Sequence, residues 1–353
     1  MGAQRPANQH NRMTRISPSI DIEHMGKQSG FLRLPFSSHD SAYGWMPIPF
    51  ICIANGSGPT VLLMAGNHGD EYEGQIALLK LSRMLAAEQV QGRIIILPAA
   101  NFPAAMAGRR ISPIDGGNLN RSFPGDPNGS PTQMIAHFIE SRLLPLSDYV
   151  IDIHSGGSSL HYKPTILARL STPSDKWKVM LRSLKAFGAP FGLLFRALEG
   201  EDRTMSAAAE RHRVVYLCPE LGGSGTVSRA SLSLAEEGLR RCLASFGIIA
   251  DEVPPGCNTR LVTMDGFNNY VYAPESGLFE PFAEAGDEVV SGNTAGFIHY
   301  GHTPGREPTP VRFQTSGVVL CRRVPSRTER GDCLYQIGTD FSAANALRDT
   351  SLT

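Results

Sequence analysis

One apolar run, cut off by a glycine and a cluster of ionisable side chains, constrains this chain more than any other stretch. Val61-Leu62-Leu63-Met64-Ala65 leads directly into Gly66-Asn67-His68-Gly69-Asp70-Glu71-Tyr72-Glu73-Gly74. An uninterrupted apolar run before a Gly-Asn turn reads as a buried strand. His68 and Glu71 follow its end at H-x-x-E spacing, so an imidazole and a carboxylate can be aimed at one point. Catalytic zinc usually has three protein ligands and a water, and His2Glu is one of its standard sets. The pattern therefore asks for a second histidine.

A second short apolar segment supplies it. Tyr149-Val150-Ile151-Asp152-Ile153 runs into His154-Ser155-Gly156-Gly157, which places His154 at another strand end before a glycine turn. In open α/β sheets, functional groups gather outside the carboxyl ends of the strands. An isolated H-x-x-E is more often a surface or satisfied core pair. Two strand ends delivering His68, Glu71 and His154 to one rim would make a metal site.

The chain has 353 residues, 41% hydrophobic and 19% charged, enough for one large domain and a smaller one. Its 33 basic residues balance 33 acidic ones, which gives no support for nucleic-acid or membrane binding. Cys52, Cys218, Cys242, Cys257, Cys321 and Cys333 are scattered without a C-x-x-C pair. Free thiols and a cytoplasmic location are the expectation. The polar N-terminus lacks the apolar core of a signal peptide, and no apolar run is long enough to span a membrane.

Residues 1–28 read as a flexible lead-in, 29–250 as the catalytic domain, 251–341 as a β-rich domain, and 342–353 as a tail. Within the catalytic part, strands are expected at 48–54, 61–65, 93–97, 149–153 and 214–218. Helices are expected at 74–87, 134–144, 177–187, 207–211 and 231–246. Strands alternating with helices predict an α/β fold with a parallel or mixed sheet. Residues 101–131 are rich in Gly, Pro and Asn, a long loop of the functional kind. After Pro254-Pro255-Gly256 the chain turns to short β runs and turns.

That long loop carries Arg109, Arg110 and Arg121. A guanidinium presents a planar fork that fits a carboxylate with two hydrogen bonds, so arginines beside a metal suggest hydrolysis of a substrate with a free carboxylate. Surface arginines in a solvated loop are the plainer reading, less so for Arg121, which Leu119 and Phe123 flank. Glu220 follows the strand ending at Cys218. A metal hydrolase needs a carboxylate near its water to move a proton, although a lone Glu is usually a surface group. Asp152 shares a strand face with His154 and suits orienting that imidazole or a basic substrate group; a salt bridge is the alternative. Ser155-Gly156-Gly157 and Ser224-Gly225 resemble nucleophile turns only superficially, since G-x-S-x-G is missing. Neither G-x-G-x-x-G nor a Walker pattern is present. His299 and His302 read as loop residues.

Taken together, Gly66-Asn67-His68-Gly69-Asp70-Glu71, Asn118-Leu119-Asn120-Arg121, Asp152-Ile153-His154 and Glu220-Leu221-Gly222 resemble, in order, the motifs of the succinylglutamate desuccinylase/aspartoacylase family of zinc deacylases. The resemblance spans roughly residues 45–340. It implies a zinc-carboxypeptidase-like mixed sheet flanked by helices, plus a small C-terminal all-β half-barrel. It implies one Zn2+ per chain on His68, Glu71 and His154, with Glu220 as general acid/base. Asn120 and Arg121 would hold the substrate carboxylate; the substrate-side place of Asp152 rests on its strand face alone. An upstream arginine would polarise the scissile carbonyl; Arg110 is assigned, with Arg109 as the alternative. The longer stretches Gly66–Gly74, Ser112–Arg121 and Asp152–Gly157 resemble the members of that family that act in bacterial ectoine breakdown, and this closer resemblance implies an acetylated amino acid with a cationic side chain, N-alpha-acetyl-L-2,4-diaminobutyrate. Asp115, or Glu201 with Asp202, are the candidates to read that cation. No modifiable lysine is evident in the β region, so it is expected to cover the site rather than carry a cofactor.

The rivals are a deacylase of N-succinylglutamate or N-acetylaspartate type, a carboxypeptidase, a non-catalytic small-molecule sensor, and an acyl-carrier module. The sequence leaves open whether the chain forms a homo-oligomer.

Overall fold

The computed structural model describes residues 14–170, 174–196 and 202–342. Its frame is a mixed sheet of 14 strands, with a second sheet of four. The strands that build the site are β1 (Gly26–Pro35), β2 (Trp45–Asn55), β3 (Thr60–Ala65), β4 (Gly92–Leu97), β5 (Tyr149–Ile153), β6 (Leu160–Arg169), β7 (Phe191–Phe195), β8 (Val215–Gly223) and β9 (Arg260–Met264). They lie in the order β1-β2-β4-β3-β5-β8-β6-β7-β9. β3 runs parallel to β4 and to β5, from Val61↔Tyr149 to Ala65↔Ile153. β5 runs parallel to β8 from Tyr149↔Val215 to Ile151↔Leu217. These registers bring the ends of β3 and β5 to one rim, beside the middle of β8.

The apolar run of β3 is buried on both faces because helices cover both sides. Val61, Leu63 and Ala65 join a core with Leu78 of α1 (Glu73–Met84), Leu184 of α4 (Ser174–Phe187) and Leu239 of α6 (Arg229–Ser245). Leu62 and Met64 join the opposite core with Phe50, Phe123 and Phe138. This alternation is the period-two geometry of a strand, and each fully buried aliphatic side chain contributes roughly 1.5–3 kcal/mol. α1 begins on the rim. A Cβ on Gly74 would lie 2.7 Å from Ile153 Cβ and 2.9 Å from Ala65 Cβ. Only glycine lets the helix start against the last residues of β3 and β5.

Several elements differ from expectation. α1 stops at Met84, and residues 87–89 form a separate 3-10 turn. The expected helix at 134–144 is α3 (Pro131–Phe138) followed by a π turn over Ile139–Leu143. The long loop contains the short helix α2 (Phe102–Ala107) and a 3-10 turn at Leu119–Arg121. β1, β6 and β7 have no counterpart in the sequence reading. Of the expected lead-in, the described part already belongs to the fold: Ile16 is buried, and Ser17–Pro18 pair with Arg33 and Leu32 of β1. The expected tail from 343 onward lies outside the described residues.

The composition change near residue 250 does not mark a break in the sheet. β9 pairs in parallel with β7, from Arg260↔Phe191 to Met264↔Phe195. The strand Gly317–Arg323 pairs with β6 at Cys321↔Tyr162, and Cys333–Asp340 pairs with β9. The second sheet, built from 277–281, 294–299, 309–312 and 327–328, encloses its own core around Phe279, Phe313 and Tyr335. No helix among the described residues is long and apolar enough to cross a membrane. All six cysteines are free.

Candidate active site

The rim gathers the three expected ligand side chains. His68 Nδ1 lies 2.7 Å from Glu71 Oε1, and His154 Nδ1 lies 2.8 Å from Glu71 Oε2. All three residues are buried, with one donor atom from each within 4.8 Å of the others. The far nitrogens of the rings are also held. His154 Nε2 lies 3.1 Å from Asp152 Oδ2, and His68 Nε2 lies 3.2 Å from Asn118 Oδ1. Metal-binding imidazoles are typically oriented this way, one nitrogen inward and the other on a carboxylate or carbonyl. The donor set therefore fits a divalent cation, with His2Glu chemistry suited to zinc.

The electrostatics follow from the packing. Burial alone would raise the Glu71 carboxyl, but the two imidazoles outweigh it and hold it well below the usual carboxylate range. Burial likewise disfavours the charged form of His154, yet Asp152 and Glu71 overcome it and raise this imidazole well above its ordinary value. His68 goes the other way, lowered by burial despite Glu71.

Glu220 enters from β8. The expectation of a strand end is corrected here: β8 continues to Gly223 but changes partner. Its ladder with β5 stops at Leu217; from Cys218 it pairs with β6, setting Glu220 opposite Thr165. His154 N donates to Pro219 O at 2.8 Å, and Leu221 N donates to His154 O at 3.0 Å. The backbone thus fixes Glu220 against the third ligand. Desolvation pushes its carboxyl up to about 8, with Glu71 adding to the rise and His154 and Arg110 opposing it. Its Oε2 is buried with no hydrogen-bond partner among the described residues.

These groups line a cleft of about 240 Å³. Arg110, half exposed on the rim, places Nη1 3.3 Å from His68 Nδ1 and 3.5 Å from Glu71 Oε1. Arg109 does not line the cleft; its backbone carbonyl accepts from Gly69 N. Asn120 and Arg121 do line it. Asn120 Oδ1 accepts from Met205 N at 2.8 Å, at the start of α5 (Met205–Arg211). That fixes the amide so its N–H donors remain for a ligand.

Asp152 is placed differently from the expectation of substrate contact. It is fully buried beneath His154, where Oδ2 also accepts from Asn67 Nδ2 and Tyr216 OH, and it is not on the cleft wall. It orients the imidazole. Of the candidate cation readers, Asp115 and Asp202 are likewise not brought to the cleft. Asp115 accepts from Thr132 N, Thr132 Oγ1 and Gly117 N, bracing its own loop. Asp202 is exposed and does not line the cleft, and Glu201 lies outside the described residues. His299 is a surface partner of Glu280.

Three further positions belong to the site without being singled out by the sequence. Asn118 meets His68 Nε2 through its side-chain oxygen. Tyr162 and Gln336 both line the cleft, and Tyr162 OH donates to Gln336 Oε1 at 2.9 Å. Gln336 comes from a strand beyond residue 330 and joins the cleft only through tertiary pairing, so no local signal marks it.

A strand-rim His-Glu-His set with a raised carboxyl beside it defines a hydrolase of the metal-dependent class. The chain belongs to the succinylglutamate desuccinylase/aspartoacylase family, whose catalytic-domain model matches residues 57–246. It is 40% identical over 337 residues to the N-alpha-acetyl-L-2,4-diaminobutyric acid deacetylase of Halomonas elongata, covering 95% of this chain and 96% of that one. The product-bound structure of the ectoine utilization protein EutE (DoeB) from Ruegeria pomeroyi superposes with a TM-score of 0.89 at 39% identity, covering 93% of this chain and all of that one. The succinylglutamate desuccinylase/aspartoacylase structure from Rhodobacter sphaeroides gives 0.88 at 38% identity, with the same coverage. The chain is accordingly an enzyme, a deacylase that hydrolyses amide bonds.

Proposed function

We propose that this chain removes the acetyl group from N-alpha-acetyl-L-2,4-diaminobutyrate, releasing acetate and L-2,4-diaminobutyrate in cytoplasmic ectoine breakdown. The resemblance to the Halomonas elongata deacetylase over nearly the whole of both chains supports the substrate. The observation that carries the chemistry is the backbone bridge that fixes Glu220 against His154. One zinc ion per chain, held by His68, Glu71 and His154, would supply a Lewis acid that acidifies water and polarises the acetyl carbonyl.

The protein's own groups divide the rest of the work. Asn120 and Arg121 hold the substrate carboxylate with charge-assisted hydrogen bonds. Glu220 takes the proton of the attacking water and delivers it to the leaving amine, a task suited to a carboxyl tuned close to neutral pH. Arg110 donates to the carbonyl oxygen as that atom gains negative charge. We read the catalytic frame as zinc-carboxypeptidase-like and the strands after residue 260 as a half-barrel that covers the cleft. The presence of Gln336 in the cleft wall supports this cover.

The test is acetate release from N-alpha-acetyl-L-2,4-diaminobutyrate after chelation, with and without added zinc. Zinc-restored release is expected. Zinc binding without release would redirect the substrate to N-succinylglutamate or N-acetylaspartate. Absence of both binding and release would overturn both the zinc site and this substrate.

A further inference from the structure

The turn Ser155-Gly156-Gly157-Ser158 has no role in the chemistry above, yet it is built around one carboxylate. Asp70, the residue just before the ligand Glu71, is buried and reaches across to this turn. Its Oδ2 accepts from Ser158 N and from Ser158 Oγ, each at 2.8 Å, bridging 88 positions of sequence. Gly157 has φ +54°, and a Cβ there would come within 2.7 Å of Asp70 Oδ2. The turn is glycine at this point because the carboxylate needs the space.

The backbone shows what this contact controls. His154 is already fixed on both sides by β8. The segment from His68 to Glu71 lies beyond the last residue pair of β3, so the sheet does not position it. Gly69 N donates to Arg109 O at 2.8 Å, and Gln75 Nε2 donates to Gly69 O and Glu71 O at 3.2 and 2.8 Å. Two side chains tie this segment to His154 and its loop: Glu71, whose Oε2 meets His154 Nδ1 at 2.8 Å and accepts from Ser155 N at 3.3 Å, and Asp70, which reaches farthest along the turn, to Ser158.

We propose that Asp70 is a positioning residue: clamped in the Ser155–Ser158 turn, it sets the H-x-x-E segment against His154 and so tunes the affinity of the three-residue site for its metal. The proposal rests on the metal-site reading given above. Outer contacts that orient ligands commonly change metal affinity by about 10- to 100-fold when removed.

The probe is zinc alone, competed against a chromophoric chelator on the full chain, alongside unfolding of the chelator-treated protein. Asp70→Ala is expected to weaken zinc binding by about tenfold or more. Ser158→Ala, which keeps the backbone donor, should weaken it only a few-fold. Asp70→Asn, whose carbonyl oxygen still accepts from Ser158, should recover most of the parent affinity. A brace serving stability only would lower the unfolding midpoint and leave zinc affinity within twofold of the parent; that result overturns the proposal. If Asp70→Ala does not fold, parent-like zinc binding by Ser158→Ala refutes the clamp equally. A parent chain that binds no zinc sinks the site reading itself, whereas tight parent binding with an indifferent Asp70→Ala sinks only the clamp.

Discussion

Replacing Glu220 by Gln separates its protonation from its shape. In the metal-free protein this carboxyl is lifted from 4.5 to about 8. A raised carboxyl binds its proton in the folded state at pH values where the unfolded chain has released it. Its contribution to stability is therefore fully present below about 4.5 and is lost as pH rises through about 8. Taking 1.36 kcal/mol per pKa unit, the loss between about pH 5 and pH 9 has an upper limit of about 4 kcal/mol. Glu220 opens partly onto the cleft, and solvent there reduces this to about 2 kcal/mol. The glutamine variant keeps the volume and cannot titrate. Denaturant unfolding of chelator-treated parent and variant should therefore give a stability difference that grows in favour of the variant by about 2 kcal/mol from pH 5 to pH 9. Titrating groups remote from Glu220 are common to both proteins and cancel, whereas His154, Glu71 and Asp152, which interact with it, add their own smaller changes. A difference constant within about 1 kcal/mol would refute the claim that the fold holds Glu220 protonated near neutrality. In the zinc-loaded enzyme the same change should lower turnover by about 10²- to 10⁴-fold with zinc retained, since it removes the proton carrier.

Three further outcomes follow from the site. Arg110→Met should reduce kcat by about 10²-fold or more, while Arg109→Met, away from the cleft, should stay within about threefold of the parent. Arg121→Met should raise KM by about 10- to 100-fold with a smaller change in kcat, as expected when a charge-assisted hydrogen bond to the substrate carboxylate is lost. Asp152→Asn should move the His154 titration of the metal-free protein to lower pH, because the carboxylate that helps hold the imidazolium is gone. An NMR titration of the ring protons reads this directly, and an unmoved His154 would mean Glu71 alone sustains its charge.

The parts of the molecule legible in the sequence were those where one short segment contains the whole signal. β3 and β5 read clearly because both faces are buried and the runs are uninterrupted. Asp152 and His154 were correctly placed on one face by strand periodicity alone. β6 is obscured by Pro164 in its middle, although Leu160-His161-Tyr162-Lys163 alternates apolar and polar as a half-buried strand does. In the structure the register shifts between Tyr162 and Thr165, and this irregularity accommodates the proline, which cannot donate to a ladder. Glu220 lies within β8 rather than at a strand end, and what brings it to His154 is the exchange of partners by that strand. Gln336 could not be found at all, because its position depends on the pairing of strands far apart in sequence.

That pairing also changes what residue 250 means. The chain shifts there from an alternating helix-and-strand composition to short strands, yet hydrogen bonds cross the boundary through β7 with β9 and through β6 with Gly317–Arg323. Cutting the chain at this point would turn buried strands into open edges, the surfaces on which sheets aggregate. The two compositional halves are therefore better regarded as one cooperative unit: a fragment ending at 250 would be an aggregation hazard rather than a smaller deacylase, and a graft of the C-terminal strands onto another catalytic domain would have to carry matching β6 and β7 sequences with it.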